Sequence, residues 1–302
     1  MQTILKSAAL AATLAASAAH AQVAFDANLE LDTTYTNEVK NATNARDSDL
    51  ALGGRIEVNA GAKATNGDAF VAARASLLLK KDGDTGVDDM WVQFGNKTLD
   101  AKLGRFEAVD LFPPGKDVLI EEAGYSAYKG NALRGRFSKD TFHAALGVNA
   151  GTGLRFELGL VQTKEQGEAK GVRPVLVYSN GPLTLRGGFE SVKTVGGGES
   201  QTGVGFSVGY ALNKDTTLNV NLAKKEDDKG FGVNIVTGPL GVGFIHGKGA
   251  TEAQKVNTLY AGYSLPLMGV KGAMITPAVS YSKGGPGTDD QVGVRVRINY
   301  AF

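Results

Sequence analysis

Apolar and polar positions alternate with a period of two along nearly the whole chain after Gln22. Phe25, Ala27, Leu29, Leu31, Thr33 and Tyr35 form one mostly apolar series, and Asp26, Asn28, Glu30, Asp32 and Thr34 form its polar complement. A period of two means an extended strand with one apolar and one polar face. Leu50, Leu52, Gly54, Ile56, Val58 and Ala60 stand in the same way against Arg55, Glu57 and Asn59, and Val292 to Phe302 repeats the pattern against Arg295, Arg297 and Asn299. The connections alternate as well. Tight clusters such as Thr65-Asn66-Gly67-Asp68 and Ser179-Asn180-Gly181-Pro182 take turns with longer, charged stretches such as Asn37–Ser48, Lys164–Lys170 and Lys248–Lys255. Gly, Asn, Asp and Pro supply the backbone angles a hairpin needs. The rhythm predicts about sixteen antiparallel strands, with a mean length near the 9–11 residues that a tilted strand uses to cross a bilayer. One strand, 132–149, is run through Ser138-Lys139-Asp140, because a turn there would put the later tight turns at the wrong end.

Alternation alone fits a soluble sandwich or a membrane barrel, so the polar face decides. It carries charge in mid-strand, at Arg55, Glu57, Arg74, Arg155, Glu157, Arg186 and Arg295, while the other face is mostly Val, Leu, Ala and Gly. Lipid outside and water inside account for both faces, and closure removes the sheet edges that hydrocarbon could not solvate. Aromatic residues fall at strand ends: Phe94, Tyr178, Tyr210, Tyr263 and Tyr300 toward the short turns, Tyr35, Phe189 and Tyr281 toward the longer connections. Rings at both interfaces are expected of a barrel in a bilayer. The fold class expected is therefore all-β, a transmembrane antiparallel β-barrel of about sixteen strands.

Composition narrows the chemistry. Residues 1–21 carry Lys6, an Ala- and Leu-rich stretch and a final Ala19-His20-Ala21, which reads as a cleaved export signal followed by one barrel domain over 22–302. The 302 residues hold 32 basic and 31 acidic side chains; Lys6 is the only charge in the leader, so the rest is balanced and does not suit a nucleic-acid binder. There is no cysteine, and glycine, at 41 residues, is about twice its usual share. Beyond the leader only His143 and His246 remain, the first read as a lone wall residue, the second as an interfacial ring. No nucleophile elbow or paired-histidine motif accompanies them, so no enzyme, cofactor or metal site is expected.

With the alternation, the turn rhythm and the terminal Phe302 taken together, residues 22–302 resemble the sixteen-stranded trimeric porins of Gram-negative outer membranes. The most specific elements are the last strand, Val292–Phe302, which ends in the aromatic residue of the barrel-assembly signal, and an unusually long third loop opening at Arg105–Asp117. That opening lacks the Pro-Glu-Phe-Gly-Gly pattern of the best-known members, which leaves the constriction, not the fold, open. The resemblance implies a third loop folded into the lumen, a homotrimer, and passive diffusion of small hydrophilic solutes and ions, with outer-membrane lipid and lipopolysaccharide as surroundings. The loop, read as 107–131, offers Glu107, Asp110, Lys116, Asp117, Glu121 and Glu122 to a constriction. Arg55, Arg74, Lys102, Arg134, Arg136 and Arg155 are expected to face them from the wall. A sugar-preferring channel competes: Phe112-Pro113-Pro114-Gly115 looks like carbohydrate-type members, and Phe106, Phe112, Tyr125, Tyr128 and Trp91 offer rings for stacking. A non-conducting structural barrel is the third reading, and it would need either fewer strands or a plug.

Overall fold

A computed structural model of the chain describes residues 22–40, 43, 45–116, 118–137 and 140–302; the leader 1–21 and Asp117 lie outside them. The strands are β1 (Gln22–Lys40), β2 (Ala45–Asn66), β3 (Ala69–Lys80), β4 (Thr85–Gly95), β5 (Leu99–Arg105), β6 (Phe142–Asn149), β7 (Leu154–Gln162) and β8 (Ala169–Asn180). They continue as β9 (Leu183–Thr194), β10 (Gln201–Asn213), β11 (Thr216–Lys225), β12 (Asp228–Thr237), β13 (Leu240–Lys248), β14 (Lys255–Tyr263, prolonged by Leu265–Pro266), β15 (Ala273–Gly284) and β16 (Asp290–Ala301). The two parts of β14 pair with the same neighbour and count as one strand. Each strand is antiparallel to the next, and β16 pairs with β1, so the sheet is a closed sixteen-stranded barrel. Phe302 helps close it: its backbone exchanges hydrogen bonds of 2.8 and 3.0 Å with Ala27.

The apolar series points outward. Leu50, Leu52, Val204, Leu222, Leu259 and Val279 are all exposed, as are the rim aromatics Tyr35, Phe94, Phe189, Tyr210, Tyr263 and Tyr281. Their alternates face the interior, and many of them are buried. This apolar outer surface is the one that lipid would cover.

Three expectations need correction. The connection read as Asn37–Ser48 is mostly strand, because β1 and β2 stay paired out to Lys40 and Ala45. The strand read as 132–149 begins at Phe142. Side chains take the backbone groups that a ladder would have used: Glu190 accepts from the amides of Ala132 and Leu133, and Arg105 donates to the carbonyls of Arg136 and Phe137. Arg134 and Arg136 consequently belong to the loop and not to the wall. Finally, the strand that alternation places at 88–95 starts at Thr85, because two acids, Asp88 and Asp89, face one residue, Ser76, across a β-bulge that breaks the alternation. A bulge leaves an extra residue on one strand and re-aims its side chain.

Candidate functional site: a loop seated across the lumen

Residues 106–141 leave the barrel after β5 and return at β6. Their neck is closed by backbone bonds from Ala108 N to Arg134 O (2.8 Å) and from Arg136 N to Phe106 O (3.0 Å). Beyond the neck the segment touches strands that lie half a barrel away. Pro113 O accepts from Asn221 Nδ2 and Asn234 Nδ2 on β11 and β12 (3.0 and 2.9 Å), Pro114 O accepts from the Tyr260 hydroxyl on β14 (2.9 Å), and Glu121 O accepts from Thr258 Oγ1 (2.8 Å). Those partners are inward-facing, mid-strand residues. A connection rooted between β5 and β6 reaches them only by crossing the interior.

The seat is built from small residues. Strands β9, β10, β12, β13, β14 and β16 present glycines inward, and a Cβ at many of them would strike the loop. At Gly205 it would stand 2.9 Å from Leu111, at Gly232 2.7 Å from the Phe112 ring, and at Gly247 2.8 Å from Ala127. Phe112, Val118 and Ala127 pack there with Ala223, Ile245, Tyr260 and Ala278 into an apolar cluster. One half of the lumen is thus filled as a protein core would be, and close packing makes it rigid.

A buried ion pair holds the returning limb of the loop. Arg173 on β8 and Glu190 on β9 are 1% and 0% exposed, with Nε and Oε2 3.6 Å apart. Glu190 also accepts from the Tyr128 hydroxyl (2.7 Å), Ala132 N (3.1 Å) and Leu133 N (3.0 Å), while Arg173 donates to Gly130 O (3.2 Å) and Asn131 Oδ1 (2.9 Å). Every one of these loop groups is satisfied by a wall charge, as buried polar atoms require.

The other half of the lumen, from β16 through β1 to β4, is open and charged. Arg297 forks onto Asp32 with two 2.8 Å bonds and lies 3.6 Å from Glu30; Arg55 reaches Glu30 at 3.2 Å and Glu57 at 3.9 Å. Arg74 spans Glu57 and Asp89 at 3.8 and 3.9 Å. Arg136 meets Asp89, Asp88 and Glu107 at 3.2, 3.1 and 3.8 Å, and Arg134 forks onto Glu107. The result is a chain of alternating charge along the wall and onto the loop neck. Asp32 faces Arg297, and Glu30 faces Arg55, as direct cross-strand partners, the arrangement in which opposite charges stabilise a sheet. Within the chain Arg55 and Arg74 keep 38% and 37% of their side chains exposed, against 0% for Thr258 and 2% for Tyr260 beneath the loop. Solvent reaches one wall and not the other.

The sequence-predicted site residues divide accordingly. Glu107, Arg134, Arg136, Arg55 and Arg74 come together in the charge chain. Arg155 instead binds Asp100 with bonds of 2.7 and 3.0 Å, and Lys102 lies 4.1 Å above the Trp91 ring and 4.7 Å from that of Phe106. Asp110 is spent on a turn, accepting from Phe112 N and Asn131 Nδ2 at 2.8 Å each. Glu122 pairs with Lys129 at 2.9 Å. Lys116 lies against Gly241 on the far wall, and the Glu121 side chain lies against Gly293 of β16; burial pulls the Lys116 ammonium down and pushes the Glu121 carboxyl up, the latter opposed by Arg295. Phe106 and Phe112 are 1% and 2% exposed, so their rings pack and offer no face to a sugar. The Tyr125 and Tyr128 hydroxyls are tied to Asp228 and Glu190. Expectation and structure also differ in where the acids stand. The arginines were expected to face loop acids across water, but most of their partners sit beside them in the wall, at Glu30, Asp32, Glu57, Asp88 and Asp89. Phase alone places Glu30, Asp32 and Glu57 there. Arg173 and Glu190 carried no signal beyond their polar-face phase. His143, on the inner face, stacks on Phe106 at 4.0 Å and is met edge-on by Phe137 at 5.1 Å. His246 faces outward, with Asn257 at 2.9 Å.

The closed sixteen-stranded antiparallel barrel is the fold of bacterial porins, and the chain has that fold. Residues 20–141 match a family model described as porin-like glycoporin RafY. An anion-selective porin from Comamonas acidovorans superposes with a TM-score of 0.67 at 15% identity, over 94% of this chain and 100% of its own. A porin from Rhodopseudomonas blastica, as a triple mutant, gives 0.60 at 12% identity over 93% and 100% of the two chains. A loop-deleted OmpT, an outer membrane protein of Vibrio cholerae, gives 0.62 at 15% over 93% and 99%. No curated protein sequence matches the chain.

Proposed function

We propose that the protein is a general-diffusion porin of a Gram-negative outer membrane, assembled as a homotrimer, in which small hydrophilic solutes and ions pass between the seated loop and the charged wall of β16 and β1–β4. The observation that carries this reading is the asymmetry of the lumen, one wall covered by the loop and the other wet. A barrel of this strand number is too wide for wall side chains to fill, and the loop supplies the narrowing. The chain of charge holds five arginines (Arg55, Arg74, Arg134, Arg136, Arg297) and six acids (Glu30, Asp32, Glu57, Asp88, Asp89, Glu107). Near-balance of this kind orders dipolar solutes without strongly rejecting either ion, since rings of a single sign are what select.

In planar bilayers the protein is expected to open ohmic channels of weak ion preference. Arg55→Gln combined with Arg74→Gln leaves Glu30, Glu57 and Asp89 less compensated, and the reversal potential in a salt gradient should move toward cations. An unmoved potential would place the ion path elsewhere. Acid should act oppositely. Because burial raises the Glu121 carboxyl, it gains its proton above the ordinary carboxylate range, and as pH falls into that window the potential should drift toward anions. The sign for stability follows: a carboxyl whose folded value is raised favours the seated loop at low pH and loses that contribution as pH rises through the raised value. Glu121→Gln should remove this part of the drift.

A sugar-preferring channel is the second reading, favoured by the glycoporin description of the matching family model. Trp91, half-buried beneath Lys102, and the partly covered rings of Tyr125 and Tyr128 are the surfaces it would use. Liposome swelling separates the two: a general pore ranks sugars and amino acids by size alone, whereas a sugar channel admits oligosaccharides faster than amino acids of smaller size.

A further inference from the structure

Four lysines form a cross-strand row at the long-connection rim. Lys224 on β11 is the direct partner of Lys229 on β12, Lys229 of Lys248 on β13, and Lys248 of Lys255 on β14. All four share phase with outward residues such as Leu222 and Phe231. Like charges directly opposite one another destabilise a sheet, and here three such pairs follow in succession. Glu252 answers only Lys248 and Lys255, at 3.3 Å for the first. Lys224 and Lys229 are exposed and have no ion pair among the described residues. Directly below the row runs an outer groove of about 430 Å³, floored by Val204, Phe206, Leu222 and Phe231 and edged by Lys224, Lys229, Lys248 and His246. The motif recurs on the same rim. Lys170 and Lys193 are direct partners above a second groove floored by Phe142, Leu160 and Val172.

We infer that the Lys224–Lys229–Lys248 row is a binding site for a phosphate-bearing lipid, with its headgroup between the ammonium groups and an acyl chain in the groove beneath. Charge complementarity selects the occupant. The floor is apolar and faces the bilayer, so it asks for hydrocarbon, and the rim carries uncompensated positive charge at headgroup height, so it asks for a fixed anion. Lysine binds phosphate as a point charge, and basic residues at a membrane surface attract anionic lipid. A lipid that joins both parts meets both demands at once, whereas free phosphate meets one. The inference rests on the barrel spanning a membrane and is independent of what passes through it.

Native mass spectrometry of the barrel released from nanodiscs of equal phosphatidylglycerol and phosphatidylcholine tests it. The wild type should retain phosphatidylglycerol about tenfold over phosphatidylcholine, and inorganic phosphate at the same concentration as the lipid should not displace it. The triple variant Lys224→Gln, Lys229→Gln, Lys248→Gln should lose the preference, the corresponding three arginine substitutions should restore it, and Lys214→Gln at the opposite rim should leave it intact. Single-channel conductance of the triple variant should match the wild type, which shows a folded barrel and keeps this test separate from that of the pore. Equal retention of the two lipids by the wild type, undiminished preference in the triple variant, or displacement by inorganic phosphate would each overturn the site.

Discussion

Replacing Glu190 by alanine is expected to free the returning limb of the loop and to raise single-channel conductance, with open-channel noise where the wild type is quiet. The substitution removes the partner of Arg173 and three acceptor contacts to the loop, from Tyr128, Ala132 and Leu133. Removing one member of a buried pair costs about 3–5 kcal/mol, because the remaining charge is left uncompensated. Arg173 would then keep only the Gly130 carbonyl and Asn131 as partners. The barrel itself should survive, since its ladders do not depend on this pair. Glu190→Gln separates charge from hydrogen bonding: it keeps an acceptor for the loop amides and should fall between alanine and wild type. Conductance and noise in the alanine variant equal to wild type would mean that the pair does not hold the loop.

Gly230→Val should have a comparable effect by a different route. A Cβ at Gly230 would fall on the Tyr128 carbonyl oxygen, a backbone atom that no rotamer change can move. The loop must lift or the strand must shift, and overpacking of this kind costs about 1–3 kcal/mol or more. The expected outcome is a barrel whose loop is cut by a protease that leaves the wild type intact, with conductance raised in parallel. Gly187→Ala is the control. Its Cβ would meet the Phe206 ring at 3.6 Å, an ordinary contact, and it should leave both measurements unchanged. If Gly230→Val resists the protease as the wild type does, the glycine track is not a seat.

These two substitutions fall where sequence reading ran out. Alternation is a property of neighbouring residues, so strand identity, facing and the last strand through Phe302 were legible from the chain alone. So was the long connection, through its broken periodicity. Its end was not. Arg134 and Arg136 read as strand because their alternation with Leu133 and Gly135 mimics a ladder, and only the Glu190 and Arg105 contacts show that the backbone is bound otherwise. Burial of Phe106 and Phe112 was equally hidden, because an aromatic at a loop base looks the same whether it packs or waits for a ligand.

The chain by itself determined a lipid-facing and a water-facing side, about sixteen antiparallel strands and charge in mid-strand on the wet side, because a period of two and hairpin turns are set by residues a few positions or one hairpin apart. Only the tertiary structure decided that the wall opposite is a glycine bed under the loop and that Arg173 and Glu190 hold it there. Those contacts join residues from about forty to more than one hundred and seventy positions apart, such as Arg173 with Gly130 and Gly293 with Leu119, and no local pattern encodes which strand a loop will meet once the barrel closes.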